Sequence, residues 1–164
     1  MKKVLIVEDE ILARLGLRQL VDWRKLELEL LPDATDGEEA LEMIRNSRPD
    51  IILLDLNIPR FSGLEILEFL KKEEMQTRVI VVSCQEEFDV VKKAMKLGAY
   101  DYLRKLNLSS DELESILEKC LGETEERNTM HFRGIRAWMK LISGSDVWEK
   151  KACWRLLWKI MVSA

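Results

Sequence analysis

Five side chains in this sequence have types and spacing suited to shared chemistry: the adjacent Glu8 and Asp9, then Asp55, Ser83 and Lys105. Each falls at or just past the end of a segment of strand length. Lys3 to Val7 precedes the acidic pair, Ile51 to Asp55 ends in the third carboxylate, Val79 to Ser83 ends in the hydroxyl, and Tyr100 to Arg104 runs into the lysine. In an open parallel sheet all five gather beyond the carboxyl ends of the strands, where such sheets bind ligands. Three carboxylates crowded at one edge repel one another, and a single ammonium cannot neutralise them. A divalent cation resolves the conflict. Mg2+ suits best, because it takes hard oxygen ligands, keeps waters, and uses one or two carboxylates beside a phosphate. Plainer readings compete position by position: an acidic pair is often a solvated turn, and a lone serine is often a strand-end hydroxyl. Val81-Val82-Ser83-Cys84-Gln85 lacks the G-x-S-x-G turn of a serine hydrolase. The joint spacing, not any single residue, favours function.

The elements that must position these residues show as an alternation. Strands are predicted near Lys3 to Val7, Glu27 to Leu31, Ile51 to Asp55, Val79 to Ser83 and Tyr100 to Arg104. Helices are predicted over Glu10 to Val21, Gly37 to Asn46, Gly63 to Lys72, Glu87 to Leu97 and Ser110 to Leu121, where apolar residues recur three and four apart. Asp36 and the Ser109-Ser110 pair stand where helix caps belong. Strand alternating with helix implies an α/β fold with a parallel sheet. Ile51-Ile52-Leu53-Leu54 and Val79-Ile80-Val81-Val82 are apolar on both faces, as helices on both sides require. Pro32 closes the least regular strand and suits an edge.

With 164 residues, 47% hydrophobic and 34% charged, the chain reads as one ordinary domain with an appendage. No apolar run approaches the roughly 20 residues needed to span a bilayer, and no secretory signal is evident, so no membrane role and a cytoplasmic location are expected. Three dispersed cysteines and the single His131 argue against a disulfide scaffold and a His-rich metal centre. A net charge of −4 argues against nonspecific nucleic-acid binding by the bulk of the chain. The charge changes sign near Gly122, from a balance of −7 over residues 1–122 to +3 over 123–164, and four of the five tryptophans lie in the later stretch. Those last 42 residues are too short to hold a self-sufficient core.

Over about residues 1 to 121 the chain resembles the receiver domain of bacterial two-component response regulators. The likeness is carried by Glu8-Asp9, by Asp55-Leu56-Asn57-Ile58-Pro59 with Gly63, by Ser83, and by Tyr102 three residues before Lys105. Val21-Asp22-Trp23, Asp36-Gly37-Glu38-Glu39-Ala40-Leu41 and Leu97-Gly98-Ala99-Tyr100-Asp101-Tyr102 are similar to receivers coupled to AraC-type DNA-binding outputs. The resemblance implies a flavodoxin-like, doubly wound, five-stranded parallel sheet of order 2-1-3-4-5. It also implies that Asp55 accepts a phosphoryl group from the histidine of a sensor kinase, in a protein that assists its own phosphorylation and dephosphorylation without being an enzyme. Asp9, Asp55 and the main-chain carbonyl of Asn57 then hold Mg2+, with Glu8 acting through water. Lys105 pairs with Asp55 or with a phosphoryl oxygen, Ser83 donates to another, and Tyr102 follows as the second switch residue. Asn57 and Gln85 stand where the family tunes hydrolysis of the acyl phosphate. The resemblance further implies control of transcription and a homodimer through the fourth helix, last strand and fifth helix, or through the C-terminal extension.

Leu106 departs from the pattern, because receivers carry a proline after the lysine in a cis peptide. A cis bond before a non-proline residue costs about 3 kcal/mol, so the peptide is either trans with a rearranged loop or cis under strain, and both bear on the aim of Lys105. Cys84 replaces a usual small residue and reads as packing; His131 reads as a surface residue. Phe132, Ile135, Trp138, Met139 and Ile142, and then Val147, Trp154, Leu157, Trp158 and Met161, suggest two amphipathic helices. The expected division is a receiver at 1–121 and a helical linker or dimerisation extension at 122–164, the output being absent or truncated and DNA contact needing a segment not evident here. The main competitor is a receiver-like scaffold that works by protein contact without phosphorylation. An aspartyl phosphohydrolase of the haloacid dehalogenase type is disfavoured by Asn57, which stands where that family supplies an acid, and a flavin-binding reading lacks a phosphate loop.

Overall fold

The computed structural model describes residues 1–84 and 88–122. Gln85, and the extension expected over 122–164 from residue 123 onward, lie outside the described residues. Two compact units divide the chain, Met1–Lys119 and Cys120–Ala164, and the first carries the fold.

Strand β1 (Lys2–Val7), helix α1 (Ile11–Leu20), β2 (Leu28–Leu30), α2 (Gly37–Ser47), β3 (Ile51–Leu54), α3 (Gly63–Lys72), β4 (Arg78–Ser83), α4 (Phe88–Lys96) and β5 (Asp101–Arg104) follow in order. A 3-10 turn (Lys105–Asn107) leads to helix α5, which is described over residues 110–122. All strand pairs are parallel, in the order β2-β1-β3-β4-β5. This is the doubly wound order that the family resemblance implies. The chain runs outward from β1 to the edge strand β2 and then crosses back to β3, so the loops after β1 and β3 diverge and leave a crevice between them.

Burial explains the runs. Leu5, Val7, Ile52, Leu54, Val79 and Val81 share one core with Ile44 of α2 and with Ile66 and Leu67 of α3. The alternate residues Val4, Ile6, Leu53 and Ile80 are also fully or almost fully buried, on the opposite face of the sheet. Neither face meets water, which removes any polar alternation from β3 and β4. β2 is shorter than its sequence suggests: Glu27 turns with φ 55, so the strand starts at Leu28, and Pro32 ends the ladder soon after Leu31 donates to the Val4 carbonyl at 2.9 Å.

Local chemistry fixes the helix starts. Asp36 accepts the Glu39 N–H at 2.9 Å, and Ser109 Oγ accepts that of Glu112 at 3.2 Å. At α3, Ser62 and Glu65 form a reciprocal capping box. Gly63, the first residue of α3, lies so close to the end of β3 that an added Cβ would stand 2.6 Å from the Asp55 carbonyl oxygen and 2.7 Å from Leu56 Cα. Both neighbours are backbone and cannot swing aside. Gly63→Ala is therefore expected to cost about 1–3 kcal/mol, read as a lower urea midpoint at unchanged slope. An unchanged midpoint would contradict this close approach.

Candidate functional site

The carboxyl ends of β1, β3 and β5 bring four ionisable groups together. Pairing with a β2–α2 loop residue extends β1 by one step: Ala34 donates to the Ile6 carbonyl at 2.9 Å and accepts the Glu8 N–H at 3.0 Å. On the other side the Asp55 N–H bonds the Val7 carbonyl at 3.0 Å, which sets Asp55 beside the acidic pair. Glu8 and Asp55 are buried, Asp9 is exposed, and carboxylate oxygens of all three lie within 4.8 Å of one another.

Lys105 comes from the far side of β4. Two strand spacings, about 10 Å, separate β5 from β3, and a long aliphatic stem is what spans them. Its Nζ donates to Asp55 Oδ2 at 2.6 Å and approaches Glu8 Oε2 to 2.7 Å. The first contact is a charge-assisted hydrogen bond; the second is close but poorly directed, so Glu8 Oε2 is buried without a hydrogen bond. Glu8 Oε1 accepts the Glu10 N–H at 3.2 Å, and Asp55 Oδ1 accepts the Asn57 N–H at 3.1 Å. No cis peptide occurs among the described residues, so the Lys105–Leu106 bond is trans. The loop turns there as 3-10 with Leu106 exposed, and Lys105 still reaches Asp55.

The electrostatics follow from burial. Burial pushes the Glu8 carboxyl above its ordinary value, and the Asp55 charge adds to this, although Lys105 pulls it back. Burial also opposes the charge on Lys105, but Asp55 and Glu8 outweigh it and hold the ammonium above its ordinary value. Because folding raises the Glu8 value, the folded state binds this proton more readily than the unfolded chain. The resulting stability is complete below the ordinary 4.5 and is lost as pH rises through the raised value. Glu8→Gln is thus expected to gain stability over the wild type with rising pH in this window, measured by urea unfolding without divalent ions. A pH-independent difference would refute it.

The residues present fit a hard divalent cation. Three carboxylates face one ammonium, one buried carboxylate oxygen takes no hydrogen bond, and the exposed Asp9 leaves the cluster open to solvent.

Ser83, buried at the last position of β4, pairs with Arg104 on β5, and Tyr102 pairs with Val81 two residues earlier. Tyr102 is half-buried against the core. It also borders a cleft of about 480 Å3 with Val91 of α4, Arg104, Asn107 and Glu112 of α5. Asn57 is exposed, two residues past Asp55. Cys84, expected to pack, is instead exposed, because the buried part of β4 ends at Ser83. One contributor that sequence spacing does not reveal is Arg14, whose guanidinium reaches back to the Glu8-Asp9 main chain.

A family model described as the response regulator receiver domain matches residues 4–118. Over 127 residues, 77% of this chain and 49% of the relative, the sequence is 33% identical to an uncharacterized response regulatory protein of Staphylococcus epidermidis. It is 32% identical over 120 residues to the nitrate/nitrite response regulator protein NarL of Escherichia coli, covering 73% of this chain and 55% of NarL. The chain therefore spans about half the length of the curated relatives it matches. Among solved structures, the receiver domain of AraT, a response regulator from Geobacillus stearothermophilus, aligns with a TM-score of 0.71 and 31% identity, covering 77% of this chain and 98% of that one. The narrower likeness to receivers with AraC-type outputs is not confirmed: the matches include NarL, and they show the receiver without the type of output. No helix among the described residues is long and apolar enough to cross a membrane.

Proposed function

Because the chain belongs to the response regulator receiver domain family, we propose that it is a phosphorylation-controlled switch in which Asp55 takes a phosphoryl group from the phosphohistidine of a sensor kinase. The single observation that carries this reading is the placement of Asp55: buried, beside two other carboxylates, and bonded to Lys105 at 2.6 Å. Phosphoryl transfer needs alignment and cancellation of charge more than elaborate covalent chemistry. An Asp55 oxygen attacks phosphorus, the P–N bond to the donor imidazole breaks, and an aspartyl phosphate forms. Asp9, Asp55 and the Asn57 main-chain carbonyl would hold Mg2+, with Glu8 acting through water. When bound, Mg2+ supplies charge neutralisation for the acidic cluster and the incoming phosphoryl oxygens.

Lys105 steers the nucleophile beforehand and exchanges Asp55 Oδ2 for a phosphoryl oxygen afterwards. Ser83 donates its hydroxyl to a second phosphoryl oxygen, drawing in the segment that follows β4. Tyr102 then repacks beside the cleft between α4, β5 and α5, so a local charge change shifts the population of two conformations. Asn57 and Gln85 set the lifetime of the acyl phosphate. That same cleft, or the extension beyond 122, serves as the homodimer surface, and the switch controls transcription through an output. The activity is that of a phosphoacceptor assisting its own phosphorylation and dephosphorylation in the cytoplasm.

The test is incubation with Mg2+ and acetyl phosphate, followed by intact mass measurement. A Mg2+-dependent gain of one phosphoryl group is expected. No adduct, together with no Mg2+-dependent binding of beryllofluoride, would replace this reading with a phosphorylation-independent interaction scaffold.

A further inference from the structure

Arg14 lies one turn into α1, a helix whose start has no side-chain cap. Its Nη1 donates to the main-chain carbonyl of Glu8 at 2.8 Å and to that of Asp9 at 3.2 Å. The opposite edge of the guanidinium faces Asp33, with Nε 3.7 Å from Oδ2, and Arg18 Nη1 holds the other Asp33 oxygen at 2.5 Å. Arg14 and Asp33 are both only 16% exposed. Asp33 immediately precedes Ala34, the residue that accepts the Glu8 N–H. The acidic turn is thus gripped twice from the β2–α2 loop, directly through Ala34 and indirectly through Asp33 and Arg14.

We propose that Arg14 is a positioning residue for the cation site, fixing the main chain of Glu8-Asp9 so that both carboxylates converge with Asp55, while Asp33 anchors it. This rests on the reading of Glu8, Asp9 and Asp55 as a Mg2+ site. Groups that orient ligands from behind typically change metal affinity by about 10- to 100-fold when removed. The sign separates positioning from plain electrostatics. A guanidinium acting only as a nearby positive charge repels a cation, so its loss tightens binding. A guanidinium acting as a clamp makes its loss weaken binding.

The experiment is a Mg2+ titration of the full chain by calorimetry, with the main-chain amide shifts of Asp9 and Asn57 followed by NMR. Arg14→Met keeps the aliphatic stem and removes the donors; it is expected to bind Mg2+ about tenfold more weakly. Arg14→Lys, which keeps a charged donor within reach of the carbonyls, is expected to recover most of the loss. Arg18→Met, which shares Asp33 but does not touch the turn, is expected to stay close to wild type. Binding by Arg14→Met equal to or tighter than wild type overturns the proposal. If that variant does not fold, Arg14→Gln decides the same point, weaker binding supporting the clamp and tighter binding refuting it. A wild type that binds no Mg2+ overturns both this inference and the site reading beneath it, whereas failure at Arg14 alone leaves the site reading standing.

Discussion

Asp55→Ala is expected to take up no phosphoryl group under conditions that phosphorylate the wild type to completion. Three carboxylates share the edge, so the prediction is selective. Asp9 is exposed, and Glu8 has one oxygen on the Glu10 N–H and the other against Lys105. Asp55 differs from Glu8, whose Oε2 takes no hydrogen bond, in that both its oxygens accept one, from the Asn57 N–H and from the Lys105 ammonium, which aims the carboxylate from both ends. Intact mass after Mg2+ and acetyl phosphate decides the matter. A phosphoryl adduct on the folded variant would move the acceptor role to Glu8 or Asp9. The same substitution carries a stability signature. It removes one of three mutually repelling charges, so the variant should resist urea better than wild type in Mg2+-free buffer. Added Mg2+ should narrow that gap, because the cation binds and stabilises only the intact cluster.

The strand ends were legible because chemistry there is punctuated by sequence: four of the five strand-length runs stop at a charged or hydroxyl side chain, and parallel topology sends those stops to one edge. The order β2-β1-β3-β4-β5 came from the family likeness, since alternation alone does not choose among doubly wound orders. Other features needed three dimensions. Glu27 enters the left-handed region and shortens β2, which no apolar pattern encodes. The grip of Arg14 on Glu8 and Asp9 depends on where the first turn of α1 faces, and its anchor Asp33 lies 19 positions away. Leu106 left two backbone states open, and the structure adopts the trans one. By contrast, the Ser62-Glu65 capping box was written in the sequence as S-x-x-E and could have been read there.

Lys105→Ala is expected to slow phosphoryl uptake by about 10- to 100-fold and to destabilise the Mg2+-free protein by about 3 kcal/mol. Both effects have one origin. The Nζ lies 2.6 Å from Asp55 and 2.7 Å from Glu8, so a single ammonium offsets two buried carboxylates. Removing it leaves an uncompensated pair, a situation much costlier than losing an exposed ion pair. The two readouts should then part company. Saturating Mg2+ restores charge balance and should return most of the lost stability, but it cannot supply a donor from the β5 side, so the rate deficit should persist. Urea midpoints with and without Mg2+, set beside the time course of adduct formation, measure the two separately. Uptake by the variant within a factor of about two of wild type would remove Lys105 from the transfer step and leave it a purely structural counter-ion.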